Sequence, residues 1–356
     1  MNSASPALQS GALHIRRAGP DDRQAVAKLV REAGGREYDL KRMPDRVVWI
    51  ACAGERAVGL TMLEPRTLGW EDEDWEAGYW TDLYIDPAYR RTTLYPRLAS
   101  AMFQHAREAG LAFVYAAVRR PEVARAHLAI GMTKADDLPV LAKPLLPASL
   151  IAKYKRLPPA FSILGAGLDV TYAAFLRCRR RLSPRWPVEE LPWTQANVEQ
   201  WLELRQRSAS SRLHQAWTPA SLLRRLEEDP DGAPYLLLGA RTNGRLAAAA
   251  VYRLIHRRSA IRTGVILEIA HEENGLAALE ACLWEIERRA SEQGAEVILC
   301  LPTPEAMANG ALKELGYRES PERYILMYRM TSRTPARQPA PGLSGWHYAF
   351  VDHDAF

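Results

Sequence analysis

One pattern occurs twice in this chain, at a constant spacing. Leu83-Tyr84-Ile85 reads as a strand, followed by a turn and a helix that Gly110 ends. Leu267-Glu268-Ile269 reads as the same strand again, followed by a helix that Gly294 ends. Ile85 and Ile269 lie 184 residues apart, as do Gly110 and Gly294, and Gly131 and Gly316 lie 185 apart. A steady offset across three landmarks makes the 356 residues two copies of one strand–turn–helix unit. A length of this order also suits two ordinary domains.

The first copy carries the more suggestive chemistry. Asp86-Pro87 ends its strand, because proline cannot donate to a ladder. Arg90, Arg91, Thr92 and Thr93 follow without an acid among them. From Leu94 the apolar residues recur at Leu98, Met102 and Ala106, one face of a helix. Pro96 falls in its first turn, where a missing N–H costs nothing. A basic turn entering a helix N-terminus suits an anion, since the first amides lack partners and the dipole adds positive character. The other reading is a helix start with surface arginines.

These residues resemble the acyl-CoA-binding core of the GNAT N-acetyltransferase superfamily. That family has an L-x-V strand, then P-x-x-R-G-x-G-x-G, then a helix. Leu83 to Ile85, Pro87 and Arg90 match it, while Arg91, Thr93 and Tyr95 stand at the glycine positions. The resemblance implies two tandem lobes of α/β (α+β) class, each a mixed, mostly antiparallel sheet flanked by helices. It implies an acyl-CoA co-substrate and an amine acceptor. The strand groups of Leu83, Tyr84 and Ile85 would hold the acyl carbonyl and pantetheine. Amides from Arg91, Thr92, Thr93, Leu94 and Tyr95 would cradle the pyrophosphate, with Arg90, Arg91 and Arg97 adding charge. An acid at this strand serves some members as base through water. Thr81 occupies the place of the usual glutamate, which leaves Asp82 as the nearest substitute. The family tyrosine that protonates the leaving thiolate corresponds to His127. A histidine can donate a proton near neutral pH, although a structural histidine is the plainer reading.

Around these cores the order is regular. Residues 1–12 read as a disordered start with no signal peptide. Residues 13–145 form the first lobe and 188–330 the second. Val26, Leu29, Val30 and Ala33 mark an early helix face, and hairpins turn at Gly54-Glu55-Arg56 and Asn243-Gly244. Residues 70–80, with five carboxylates and three tryptophans, read as a loop, either an amine-attracting rim or a solvated hairpin. In the second copy Glu272 and Glu273 stand where a pyrophosphate would sit and Leu312 replaces the tyrosine, so that lobe is expected to lack the cofactor.

Residues 146–187 join the lobes. The run 158–176 is nearly uncharged and four arginines follow it. Two interior glycines and Asp169 argue against a membrane span. A helix packed against protein is expected there, with a membrane-surface helix as the alternative. Residues 331–356 read as a linker and an aromatic tail ending in Asp352-His353-Asp354. Such tails are similar to those of some bacterial double-GNAT proteins linked to polysaccharide synthesis. Three adjacent residues on a strand cannot face one ion, so no metal is expected there.

A net charge of +5 is mild for this length and gives no reason to expect nucleic acid. The four cysteines form no C-x-x-C motif, which fits a reducing cytoplasm. Three functions fit the pattern. They are an acyl-CoA N-acyltransferase, a non-catalytic binding or scaffold protein, and a FemABX-like aminoacyl transferase. The last needs a broader basic surface.

Overall fold

The structure is a computed structural model and describes residues 13–32, 46–90, 92–182, 186–209, 211–227, 233–257, 261–301, 310–331 and 345–353. Ala33, Arg91 and Asp354 lie outside the described residues. The chain forms two compact units.

The first unit runs from β1 (Leu13–Arg17) through α1 (Arg23–Glu32), β2 (Val47–Ala53), β3 (Arg56–Trp70) and β4 (Glu73–Ile85). It continues with α2 (Leu94–Glu108), β5 (Phe113–Val118) and α3 (Pro121–Ala129). β1 pairs antiparallel with β2, and β2 with β3. β4 runs parallel to β5, the strand reached through α2. α1 packs Val26, Leu29 and Val30 on Val48, Ile50, Leu60 and Met62 on one sheet face. α2 packs Leu94, Leu98, Met102 and Phe103 in clusters with Ala51, Val58 and Leu63 on the other. The acid-rich stretch read as a loop is mostly strand: only Glu71 and Asp72 turn, and β4 begins at Glu73. From Asp74 its charged residues Asp74 and Glu76 alternate with Trp75 and Ala77, the period of a strand.

The second unit begins within β6 (Thr133–Pro144) and includes α4 (Pro147–Tyr154), α5 (Pro159–Leu182), β7 (Val188–Leu191) and α6 (Gln195–Ala209). Then come β8 (Leu213–Gln215), α7 (Pro219–Glu227), β9 (Leu236–Thr242), β10 (Arg245–Arg257) and β11 (Ile261–His271). α8 (Leu276–Glu292), β12 (Val297–Cys300), α9 (Ala311–Glu314), β13 (Arg318–Met330) and β14 (Trp346–His347) complete the order. β9 and β10 turn at Asn243-Gly244, both with positive φ, as a two-residue hairpin requires. β10 pairs antiparallel with β11, and β11 runs parallel to β12 through α8. The sequence β2–β3–β4–α2–β5 is thus matched by β9–β10–β11–α8–β12. Leu83–Ile85 closes β4 and Leu267–Ile269 lies near the end of the equivalent β11.

The units do not divide at one point in the chain. β5 takes its outer neighbour from Ile325–Met330 of β13, more than 200 residues later. β12 takes its outer neighbour from Leu141–Pro144 of β6, which precede the whole second unit's sheet. In chain order, the segment that completes the first sheet follows the strands of the second unit, and the segment that completes the second sheet precedes them.

Candidate functional site

The site of interest lies where β4 leaves β5. The two strands pair only from Ala77–Tyr79 to Phe113–Tyr115, yet β4 continues to Ile85 and β5 to Val118. Trp80 joins the cluster under α2, and so does Leu83, three residues on. Strict alternation would place them on opposite faces, so the strand shifts phase across Thr81-Asp82. Such an irregularity bends the strand and frees backbone groups from the ladder.

Three elements meet beside the bend. Trp80 of β4 stacks on His127 of α3 with ring centroids 4.4 Å apart. The hydroxyl of Tyr95, in the first turn of α2, lies 3.0 Å from His127 Nδ1. Phe103 meets Trp80 edge-on at 5.8 Å. Burial pushes the His127 pKa down to about 4, with the hydrogen bond it donates to the Val123 backbone opposing this only in part. The imidazole is therefore neutral at physiological pH. Burial also raises the Tyr95 phenol above its ordinary value, so it stays protonated. The indole Nε1 of Trp80 is buried and makes no hydrogen bond. An orphaned buried donor is costly, by about 1–3 kcal/mol, and calls for an acceptor.

The basic turn is well formed. Asp86 caps a short 3-10 turn at Pro87–Tyr89 by accepting from the Ala88 amide at 2.9 Å. Arg90 Nε donates to the Ile85 carbonyl at 3.0 Å. The Thr92 hydroxyl donates to the Tyr89 carbonyl at 2.7 Å and accepts from the Leu94 amide at 3.2 Å. It therefore occupies one of the amides expected to meet phosphate. Thr93 precedes the helix and makes no side-chain cap. Arg97 donates to the Leu13 carbonyl at 3.0 Å.

Asp82 lies apart from the histidine. Its carboxylate takes Arg46 Nη1 at 3.1 Å, the Thr81 hydroxyl at 3.1 Å and the Tyr84 hydroxyl at 3.2 Å. Arg46 also binds Glu64, which receives Arg66 at 2.8 Å, and Arg66 lies over the Tyr79 ring. Leu83 and Ile85 turn their side chains into the core under α2. Of the residues expected from sequence, His127 and Tyr95 come together and Asp82 does not join them. Trp80 and Arg46 were not foreseen. The signal for Trp80 was the alternation in residues 73–80, masked by its carboxylates.

The equivalent place in the second unit is filled with ions. β11 carries a bulge at Leu267, so that Glu268 faces inward and is buried. Glu268 receives Arg205 Nε at 2.7 Å, and His347 Nε2 lies 3.2 Å from it. Arg205 also grips both oxygens of Asp352 at 3.1 Å, and Trp217 donates to Asp352 at 3.0 Å. Burial alone would raise the Glu268 pKa, but the charges of His347 and Arg205 outweigh it and hold the carboxyl well below its usual range. Asp352 and His347 of the C-terminal tail are thus structural partners of this core. At the adjoining turn a Cβ on Gly275 would lie 2.4 Å from the Ala247 carbonyl, so the loop is shut down onto β10. Glu272 pairs with Arg207 at 3.3 Å.

The sequence profile of the acetyltransferase (GNAT) family matches residues 21–130, which hold the bent β4, the basic turn, α2 and His127. No curated protein matched the sequence. Among solved structures, a GCN5-related N-acetyltransferase from Anabaena variabilis is similar with a TM-score of 0.62 at 11% identity, covering 90% of this chain and 73% of that one. A conserved protein of Enterococcus faecalis described as a probable N-acyltransferase gives 0.63 at 11% identity, over 90% and 72%. An N-myristoyltransferase of Saccharomyces cerevisiae with bound myristoyl-CoA gives 0.62 at 12% identity, over 95% and 82%. At such identities the structures speak for the fold alone. The GNAT family profile thus matches 110 of the 356 residues, the stretch that holds the candidate site.

Proposed function

We propose that the first unit is an acyl-CoA-dependent N-acyltransferase that moves an acetyl group to a primary amine of a small molecule or sugar. The observation that carries this reading is the unpartnered indole N–H of Trp80, buried at the bend of β4 beside the Tyr95–His127 pair. A donor preset for an acceptor that the folded chain lacks suits the carbonyl oxygen of a thioester, where charge develops during attack. The amine nitrogen bonds to the carbonyl carbon, the carbon–sulfur bond breaks, and the amine loses a proton. Asp82 takes that proton through water, its charge fixed by Arg46. The leaving thiolate takes a proton from the Tyr95–His127 pair. A phenol that stays protonated suits this task better than the neutral imidazole alone. Of the amides from Arg91 to Tyr95, those of Thr92 and Leu94 are already engaged, so the pyrophosphate lies against the remaining ones, with Arg90, Arg91 and Arg97 adding charge. Placement of the two reactants supplies much of the rate. The second unit keeps the fold and binds no acyl-CoA.

The competing reading is a non-catalytic binding protein. The Thr92 hydroxyl favours it, because it already occupies the Leu94 amide. A thermal-shift titration with acetyl-CoA separates the two. A ligand at about 100 times its dissociation constant stabilises the native state by about 2.7 kcal/mol. The catalytic reading expects a shift of that size, and the binding-protein reading expects none.

A further inference from the structure

Eight large hydrophobic side chains stand exposed among the described residues, and seven of them lie between Ile151 and Phe175. They belong to α4, α5 and the turn that joins these helices within the second unit. Phe161, Leu168 and Phe175 recur every seven residues and so share one side of α5. They are 54%, 68% and 57% exposed. Ile151, Tyr154 and Leu157 continue the apolar surface on and beyond α4.

The features that argued from sequence for a helix sealed against protein point inward. Asp169 is buried and caps α4, accepting from the Ala148 amide at 2.8 Å, the Ser149 amide at 3.0 Å and the Ser149 hydroxyl at 2.6 Å. A Cβ on Gly165 would come within 2.6 Å of the Ala148 Cβ, so this glycine lets the two helices touch. Leu176 and Tyr172 anchor α5 in the core of the second unit. The polar and small residues are used for packing, and the outer side is left apolar.

Charge is concentrated on the same segment. Residues 147–182 hold seven lysines and arginines and one acid, a surplus above the +5 of the whole chain. The one acid is the buried Asp169. Lys155, Arg156 and Arg177 are exposed. A second copy of this chain is a poor occupant, since a two-fold contact would set this cationic patch against itself. An apolar surface bordered by cations has the complement of an anionic lipid surface. No described helix is long and apolar enough to cross a membrane.

We propose that the outer side of α4 and α5 docks on an anionic bilayer, with Phe161, Leu168 and Phe175 entering the interface and Lys155, Arg156 and Arg177 on the headgroups. α5 then lies along the surface. This docking is independent of acyl transfer.

Flotation of the full chain with lipid vesicles tests it. Vesicles containing phosphatidylglycerol should carry the protein upward, vesicles of phosphatidylcholine alone should not, and added salt should weaken the binding. Each basic residue near the surface contributes about fivefold to partitioning, so Lys155→Glu, Arg156→Glu and Arg177→Glu together should lower it by about a hundredfold or more. Phe161→Ser, Leu168→Ser and Phe175→Ser together should abolish flotation without lowering the melting temperature, since these side chains are exposed. Failure to float with anionic vesicles overturns the proposal, as does equal binding to neutral ones or undiminished flotation of either variant. A wild-type dimer that the serine variant makes monomeric, with no flotation, would assign the surface to a second copy instead.

Discussion

Strand β4 of the first unit and strand β11 of the second both part from their parallel neighbour before they end, and the space beyond is filled differently. At β4 it holds a stack of Trp80 and His127, the Tyr95 hydroxyl and an indole N–H without a partner. At β11 it holds Glu268, Arg205, His347 and Asp352, closed on one another. The first arrangement leaves a donor waiting and keeps its titratable groups neutral. The second pairs its charges with one another, although His347 Nδ1 is left without a hydrogen bond, and uses them to fasten the C-terminal tail. Equal topology therefore sets where a site can form, while the side chains that meet there decide whether it receives a ligand.

The largest effect expected from this comparison concerns the exchanged strands. A fragment of residues 13–145 keeps the bent β4 but loses Ile325–Met330, the partner of β5. It should expose the edge Phe113–Val118, which is apolar throughout, and aggregate rather than fold. A soluble, monomeric fragment with native-like circular dichroism would show that the first unit folds without Ile325–Met330.

Next in size is the ionic core. Arg205→Ala leaves Glu268 and Asp352 buried without their shared cation. It should destabilise the second unit by about 3–5 kcal/mol in denaturant unfolding. Hydrogen exchange in residues 345–353 should rise with it, and protection of α2 should not change.

The two sites should also separate by pH. Burial lowers the folded pKa of His127 to about 4, below the ordinary value of 6.5. Unfolded chains then bind the proton first, so this contribution is complete above pH 6.5 and is lost as pH falls toward 4. The size is about 3 kcal/mol. Glu268 is depressed below its ordinary 4.5, so its contribution is complete above that pH and is lost only as pH falls toward 2. Segment-resolved hydrogen exchange should show α2 and α3 losing protection in the first window, and β11 with the tail in the second. The reverse order would break the distinction between a neutral and an ionic core.

Much of this was legible in sequence. The 184-residue offset gave the repeated order of elements, and Asn243-Gly244 and Gly54 gave two hairpins, because these signals are local. The exchange of Ile325–Met330 for Leu141–Pro144 was not legible. A strand pattern shows which face is buried but not which distant strand pairs with it. The tail read as an aromatic segment on a domain does dock, but its partner Arg205 lies 147 residues away and no spacing announces it. Asp169 misled for a related reason. A lone acid in an apolar run looks like an obstacle to exposure, until the helix it caps is known. At the candidate site, Pro87 and Arg90 marked the turn and His127 the third element. The orphaned Trp80 donor follows only from the meeting of β4, α2 and α3.

The measurement that bears most directly on the division of labour is calorimetric titration of the intact protein with acetyl-CoA. Loss of one charge-assisted phosphate contact costs about 1.5–3 kcal/mol, or roughly tenfold to a hundredfold in affinity. Binding at a single site is predicted, with Arg90→Ala weakening it by that factor and Glu272→Ala leaving it unchanged. Absence of binding at millimolar ligand, or binding that responds to Glu272→Ala and not to Arg90→Ala, would contradict the assignment of the acyl-CoA site to the first unit.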